Sequence, residues 1–465
     1  MNTPHPNEAD SLKHQSNIDR LDDVDIHDWY RFVYAYSDRV ITSLVDEFDI
    51  KQDDLLIDPF NGTGTTTLAA KKLGIDTIGT DTSPASVLSA RVKTNWDVDL
   101  EEFRSRRSDL LSTIQPVFKQ ISSQGNTTLD SFASSDDKEV DLSRYDFTEP
   151  EKAPKGWLSE KPLKKMKVLR YHIEELPDDD VTDIFRLAMI AILPEDVGNV
   201  RFGPEATRDR KQEGDKDVFL ILKNKLKDIE DDLDRLQSAV EAGEISAGKT
   251  EIFRADARQF ADTLREKSKL LNSDKHQNEV DYLITSPPYP AEHDYTRNQR
   301  LELIWLGVCD DNQDLQKIKK MNIRSHTKNI YVADDEGDQV NIRENAQIDS
   351  IVSEMEQIIE DENISHGFGQ YYPRVIEEYF AGMQHHFEQV YDLLAPGGKA
   401  AYVVGDSGSY WQVEVETAEI LGQLAESRVG FKQPEIKLWR NMAATTADYD
   451  EIEENILILT KPEHN

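Results

Sequence analysis

The 465-residue chain has room for two or three domains, or for one large domain carrying insertions. Hydrophobic residues make up 38% and charged residues 31%, which supports a sizeable core under a very polar surface and excludes a mostly disordered chain. The formal net charge of −36 argues against a polyanionic partner wherever that charge is evenly spread, and suggests a protein adapted to a salt-rich cytoplasm.

Residues 1–25 are polar, contain Pro4 and Pro6, and read as a flexible tail. From Ile26 to Phe48 the pattern is first aromatic and then helical (IHDWYRFVYAYSDRVITSLVDEF). LLIDPF (55–60) reads as a buried strand, and NGTGTTTLAAKKLG as a glycine turn opening into a helix that closes at Gly74. TIGTD (77–81) is a second strand, and SPASVLSARVKT (83–94) a second helix with Ser83 as N-cap and Pro84 at N1. This alternation begins a doubly wound α/β sheet.

The alternation then stops. Residues 97–140 are acidic and Ser-rich, and 160–245 look helical without strand candidates, so 97–249 reads as a mainly helical insertion. Within it Phe219, Leu222, Leu226, Ile229, Leu233, Leu236 and Val240 fall at alternating spacings of three and four, as in an amphipathic helix packed on its own domain. Three heptads are marginal for a dimerising coiled coil. Strands return at 251–258 and 280–289, and a second polar stretch, 310–365, interrupts again. A helix ending near Leu394, a strand at 399–407, a helix near 413–428 and strands at 436–440 and 455–462 close the chain. About seven strands result, the last two forming an antiparallel pair, in a domain built from 26–96 and 250–465.

There is no signal-like N-terminal segment and no apolar run of 18 residues, so a soluble cytoplasmic protein is expected. The single cysteine, Cys309, excludes a disulfide framework and CxxC metal sites; its apolar helical context reads as a buried structural thiol, and no metal is expected.

Asp58-Pro59-Phe60-Asn61-Gly62-Thr63-Gly64-Thr65 sits where a strand meets a helix. Gly62 and Gly64 allow close backbone approach to a ligand, and the helix N-terminus offers free N–H groups. The loop lacks the Lys of a phosphate loop and is not GxGxxG, so a ligand carrying a carboxylate suits it better than a pyrophosphate. Asp58, Asp81 and Asp256 end three successive strands, placed in turn for a ligand ammonium, a ribose and an adenine amino group.

Thr285-Ser286-Pro287-Pro288-Tyr289-Pro290 ends another apolar strand. The prolines stiffen the turn and remove backbone donors, leaving the Ser286 hydroxyl and the Pro287 carbonyl as acceptors beside the Tyr289 ring. That edge suits a planar group with an exocyclic amine: acceptors on both N–H bonds draw the nitrogen toward tetrahedral geometry and free its lone pair, while the ring stacks.

On these residues the sequence resembles the S-adenosylmethionine-dependent DNA amino-methyltransferases. DPFNGTGT is similar to their cofactor motif and TSPPY to their catalytic motif, in the serine form typical of cytosine-N4 enzymes. HDWYRFVYAYSDRVITSLVDEF resembles the segment that precedes the glycine loop, and HDYTRNQRLELIWLG (293–307) the helix that follows the catalytic motif in a bacterial and archaeal subgroup. The likeness covers 26–95 and 250–308, and 367–462 more loosely. The cofactor motif comes first, whereas many enzymes with SPPY show the reverse order, and the large intervening region fits an inserted target-recognition domain.

The resemblance implies a Rossmann-like methyltransferase sheet and methyl transfer from S-adenosylmethionine to N4 of a cytosine flipped out of double-stranded DNA. Ser286, Pro287, Pro288 and Tyr289 would be catalytic. Asp58, Pro59, Phe60, Gly62, Gly64 and Thr65 would hold the methionine part, Asp81 the ribose and Asp256 the adenine. Tyr34, with Trp29, Tyr30 and Phe32, would cover the cofactor. Two basic stretches, 152–170 and 317–328, are the phosphate-contact candidates, through Lys161, Lys164, Lys165, Lys167, Arg170, Lys319, Lys320 and Arg324. Arg201, Arg208, Arg210 and Lys211 are placed to read a groove. His27 and His293 adjoin the motif segments as polar supports. A cognate restriction endonuclease would be a further partner. The rival readings are adenine-N6 or RNA-base methylation, and a catalytically silent DNA-binding subunit.

Overall fold

The computed structural model describes residues 26–31, 38–123, 140–150, 153–201, 206–290, 294–329, 338, 341–443 and 451–463. The tail, Phe32, Tyr34 and His293 lie outside the described residues.

A 3-10 turn, Ile26–Trp29, precedes α1 (Asp38–Phe48), whose Val40, Ile41, Leu44, Val45 and Phe48 bury one face. β1 (Leu55–Asp58) is buried along its whole length, as a central parallel strand covered on both faces must be. α2 (Thr65–Lys72), β2 (Asp76–Asp81) and α3 (Pro84–Thr94) follow. Ser83 caps α3 by accepting from the Ser86 N–H, and Pro84 sits in the first turn, where its missing donor costs nothing.

The insertion holds α4 (Leu100–Ser123), α5 (Glu160–Glu174), α6 (Asp180–Ile192) and α7 (Val218–Glu241). Between α6 and α7, Val200–Arg201 pairs antiparallel with Thr207–Arg208, a small ribbon the sequence did not signal. The acidic, Ser-rich composition of 97–140 conceals α4: Phe103, Leu110, Ile114, Val117, Phe118 and Ile121 recur at helical spacing and are buried. In α7 the buried Leu222, Leu226, Ile229, Leu233 and Leu236 pack within the chain's own core. That cluster runs continuously from the insertion into Trp29, Tyr30, Val92, Leu301 and Trp305.

β3 (Thr250–Arg254), α8 (Phe260–Lys267), β4 (Val280–Thr285), α9 (Tyr295–Asn298) and α10 (Arg300–Trp305) resume the alternation. The polar stretch 310–365 carries two helices, α11 (Asn312–Met321) and α12 (Ala346–Asp361). Each buries only one to three side chains, so its apolar signal is thin. α13 (Tyr372–Leu393), β5 (Leu394–Gly405), α14 (Thr417–Leu424), β6 (Glu435–Ala443) and β7 (Glu451–Thr460) complete the chain.

The seven strands lie in the order β6-β7-β5-β4-β1-β2-β3. β1 to β5 are parallel, and β7 is antiparallel to β5 and β6. α1 and α2 pack on one face of the sheet; α8, α13 and α14 pack on the other. This is a Rossmann-like, doubly wound α/β fold with a helical insertion. The strand order reverses between β1 and β4, and a parallel sheet opens a crevice at the carboxyl ends of its strands where that happens. The glycine loop leaves β1 at that point and the Ser-Pro-Pro-Tyr loop leaves β4.

Candidate active site

A cavity of about 300 Å3 occupies the crevice. Pro59, Phe60, Gly62 and Thr65 line it from the first loop, Asp81 from the end of β2, and Ser286, Pro287, Pro288 and Tyr289 from the second loop. Two motifs more than two hundred residues apart in sequence therefore share one pocket. A larger cavity, about 1010 Å3, opens among α3, α4, α6 and α7 and contains none of these residues.

The two glycines have different tasks. Gly62 has φ +52°, and a Cβ built on it would meet nothing within 4 Å, so its backbone faces open space in the cavity. Gly64, at φ +96°, lies 3.0 Å from the Ala90 Cβ in the same construction and does not line the pocket; it lets α2 and α3 approach.

Asp58 is turned inward. Its Oδ1 accepts from the Phe60 N–H at 2.9 Å and from the Thr285 hydroxyl at 2.5 Å, and its Oδ2 accepts from the Thr66 hydroxyl. Both oxygens are thus engaged, and the carboxylate ties β1, α2 and the end of β4 together behind the pocket rather than lining it. Burial pushes its carboxyl up to about 6, against the hydrogen bonds from Thr285 and Thr66 that favour ionisation. Asp81 does reach the pocket. Its Oδ2 accepts from the Gly62 N–H at 2.9 Å and its Oδ1 from the Ser83 N–H at 2.8 Å, and burial raises it to about 6.

Asp256 is drawn away. Arg258 grips it through Nη2 at 2.6 Å and Nε at 3.0 Å, and Ala257 lines the cavity in its place. The Ser286 hydroxyl donates to the Val403 carbonyl at 3.1 Å, which spends its proton and leaves the oxygen as an acceptor toward the pocket. Trp29 and Tyr30 are buried in the core shared with the insertion, and Trp29 donates to Asp232 at 2.8 Å. His27 pairs with Asp38 at 2.9 Å and does not line the cavity.

Several lining residues carry no motif signal. Gln299, at the turn between α9 and α10, accepts from the Ser83 hydroxyl at 2.5 Å and donates to the Ser86 hydroxyl at 3.0 Å. It joins the helix after the second loop to the N-terminus of α3. Behind it Glu302 is buried and raised to about 8, with the Tyr30 hydroxyl 3.5 Å away. Met321, Asn322 and Ile323 come from the expected basic stretch, and Arg440 and Glu454 from the antiparallel pair β6–β7.

The phosphate-contact candidates have internal partners. Lys319 pairs with buried Asp294 at 2.6 Å, and Arg324, 2% exposed, pairs with Glu378 at 2.5 Å. Lys320 follows Lys319 on α11, and its carbonyl accepts from Arg258. On α5, Lys165 is buried against Asp215 at 2.8 Å, Lys161 donates to the Ser122 carbonyl at 2.6 Å, and Lys164 and Arg170 pair with Glu160 and Glu174 one turn away. Lys167 lies over the Trp305 ring at 5.8 Å. Those on α5 tie the insertion to itself and to α10, and Lys319 and Arg324 pair within the sheet domain, so contact with phosphate would have to compete with these partners. Cys309 is buried and its thiol is raised by desolvation, as a structural cysteine is.

Comparison with known proteins points the same way. The N6/N4-type family described as DNA methylase matches residues 17–91. The chain is 22% identical to the Type II methyltransferase M.BsoBI of Geobacillus stearothermophilus over 438 residues, covering 88% of this chain and 79% of that one. It is 22% identical over 423 residues, at the same coverages, to the Type II methyltransferase M.AvaI of Nostoc sp.. A stretch of 92 residues is 32% identical to the Type II methyltransferase M.MjaII of Methanocaldococcus jannaschii, covering 19% of this chain and 17% of that one. With both motif loops on one crevice of a Rossmann-like sheet and relatives matched along most of its length, the chain is similar to the DNA amino-methyltransferases, whose methyl donor is S-adenosylmethionine.

Proposed function

We propose that this chain methylates the exocyclic N4 of a cytosine held outside the DNA helix. The observation that carries the reading is the shared cavity: the Gly62 loop and Asp81 on one side, Ser286 and Tyr289 on the other. The residues fit the donor. Gly62 opens its backbone to the cavity, and Asp81 offers acceptors to a ribose. Phe60, Ala257, Met321 and Ile323 give a mainly apolar wall for an adenine, a role that the Asp256 carboxylate, held by Arg258, leaves to its neighbours. S-adenosylmethionine, when bound, supplies a methyl group already activated on a sulfonium, so the protein's work is orientation.

Ser286 and Pro287 do that work. The Ser286 oxygen, its proton given to Val403, accepts one amine N–H and the Pro287 carbonyl accepts the other. The amine lone pair is thereby turned out of conjugation with the ring. Tyr289 stacks on the base, which offsets an unstacking cost on the order of a few kcal/mol. Asp58 is a positioning residue: through Thr285 and Phe60 it fixes the spacing between the two loops. The insertion 97–249 serves target recognition. Its exposed cations Arg201, Arg208 (paired with Glu213 at 2.6 Å), Arg210 and Lys211 flank a ribbon tied to α9 by the Ala206 N–H to Asn298 contact at 2.9 Å, next to the pocket, and join the two basic stretches as candidate phosphate contacts. A cognate restriction endonuclease is the expected biological partner.

Nucleoside mass spectrometry of DNA methylated by the purified chain tests the reading. N4-methylcytosine is expected; N6-methyladenine as the product would overturn the choice of base.

A further inference from the structure

The far wall of the pocket is built by a defect in the sheet. β6 and β7 pair in simple antiparallel register up to Leu438, opposite Asn455. The next pair is Arg440 opposite Glu454, so Trp439 is an extra residue on β6. A bulge of this kind re-aims the side chain that follows it. Here that side chain is Arg440, which lines the same cavity as Ser286, Pro287 and Tyr289.

Arg440 is held as well as aimed. Its Nε donates to the Glu454 Oε2 at 2.5 Å. The Glu454 side chain is 7% exposed while that of Arg440 is 51% exposed, so the acid is the buried anchor and the guanidinium the reaching end. A carboxylate that pins Nε fixes the plane of the guanidinium, which is what planar recognition of a base edge needs. Among the described residues that line the pocket, Arg440 is the cation, while Ser286 and Pro287 present acceptors and Asp81 is an acid.

The geometry points to Arg440, oriented by Glu454, as the residue that recognises the target base by donating to the acceptor edge of a pyrimidine. This rests on the proposed cytosine reading and deepens it. With N4 held by the two acceptors of the second loop, the rest of the Watson–Crick edge of cytosine presents N3 and O2, both acceptors. Adenine held by its N6 presents N1 but carries a C–H where cytosine has O2. A fixed guanidinium rewards the first and gains less from the second. A site built to hydrogen-bond a group discriminates strongly against the analogue that lacks it.

The test uses the full-length protein and synthetic duplexes carrying its methylation site, located first by single-molecule sequencing of DNA from cells expressing it. Three duplexes are compared: cytosine, adenine or an abasic site at the target position. Binding is measured for the unmodified protein, Arg440→Gln and Arg440→Lys. Arg440→Gln is expected to weaken the cytosine duplex about 10- to 100-fold, the adenine duplex clearly less, and to leave the abasic duplex unchanged. Arg440→Lys, which keeps the charge but not the fork, should behave like Arg440→Gln. Equal weakening on all three duplexes, with rescue by Arg440→Lys, would assign Arg440 to a phosphate and overturn the proposal, as would no change on any duplex. The product of the unmodified protein separates the two readings. N4-methylcytosine with an Arg440→Gln protein of unchanged base preference sinks only this proposal, whereas N6-methyladenine sinks the cytosine reading and this proposal with it.

Discussion

The crevice at the strand tips and the helical insertion treat their charged residues in opposite ways. At the crevice, polar groups are few and aimed: Ser286 has its proton committed to Val403, Asp81 receives two backbone N–H groups, and both remain on the cavity wall. In the insertion and in the polar stretch around α11, charges are many and paired. The cations of α5 close onto Asp215, Glu160, Glu174 and the Ser122 carbonyl, and those near α11 close onto Asp294 and Glu378. A run of lysines in a sequence therefore says little about function until its partners are known, whereas a short loop of fixed composition at a strand end carries its geometry with it.

The largest effect that could break this comparison concerns Arg324. If it is a structural cation, Arg324→Ala leaves the buried Glu378 with Arg374 in place of two arginine partners and should cost about 3 kcal/mol in chemical denaturation. A phosphate-contacting arginine would instead leave stability intact and weaken DNA binding.

Ser286→Ala comes next. It removes one oriented acceptor while leaving Gly62 and Asp81 in place, so turnover should fall roughly 100- to 1000-fold with cofactor affinity unchanged by calorimetry. A fall in cofactor affinity at normal saturating turnover would move Ser286 out of the reacting centre.

The two regions also differed in how legible they were. Both loops, the strands carrying them and the N-cap of α3 could be read from the sequence because each has a local cause: a glycine needing positive φ, prolines that cannot donate, a serine before Pro84. The sequence points to Asp58 and Asp256 as ligand contacts because strand-end position is visible in it and hydrogen-bond partners are not. Asp58 is held by Thr66 and Thr285, the latter more than two hundred residues away, and Asp256 by Arg258. Gln299, Arg440 and Glu454 gave no signal, since a lone polar residue on a helix or strand is the commonest surface residue. α4, α11 and α12 were hidden by composition: their apolar stripes are narrow and their outer faces are charged.

Glu302 offers a smaller test of burial at the back of the crevice. Desolvation raises it from 4.5 to about 8. Between those values the folded protein holds a proton that the unfolded chain has released. The stability associated with Glu302 is therefore full below about pH 4.5 and is lost as pH rises through about 8. Glu302→Gln should remove that slope and stabilise the protein at pH 8 by on the order of 2–4 kcal/mol. Urea titrations at several pH values would check it; an unchanged slope would mean that Glu302 reaches water.

The net charge of −36 sharpens the contrast on the scale of the whole surface. Self-repulsion among unscreened acids should make KCl stabilising well beyond about 0.1 M, where the Debye length is already near 10 Å. A thermal midpoint that peaks near that concentration would remove the inference of a salt-rich cytoplasm.

The finest discrimination lies within the insertion itself. Lys164 pairs with Glu160 across one helical turn on α5, an exposed arrangement that contributes little to stability. Arg208, Arg210 and Lys211 sit on and beside the ribbon that Asn298 ties to the pocket side of the molecule. If the ribbon faces DNA, replacing all three with Ala should weaken binding and reduce the dependence of log K on log salt by about 2–3, while stability hardly moves. Lys164→Ala should change neither the affinity nor the slope. The reverse result would return α5 to the nucleic-acid face and would mean that its ion pairs open to release their cations when DNA arrives. The salt slope decides this better than affinity alone, because it counts the phosphates neutralised and does not depend on which bases are read.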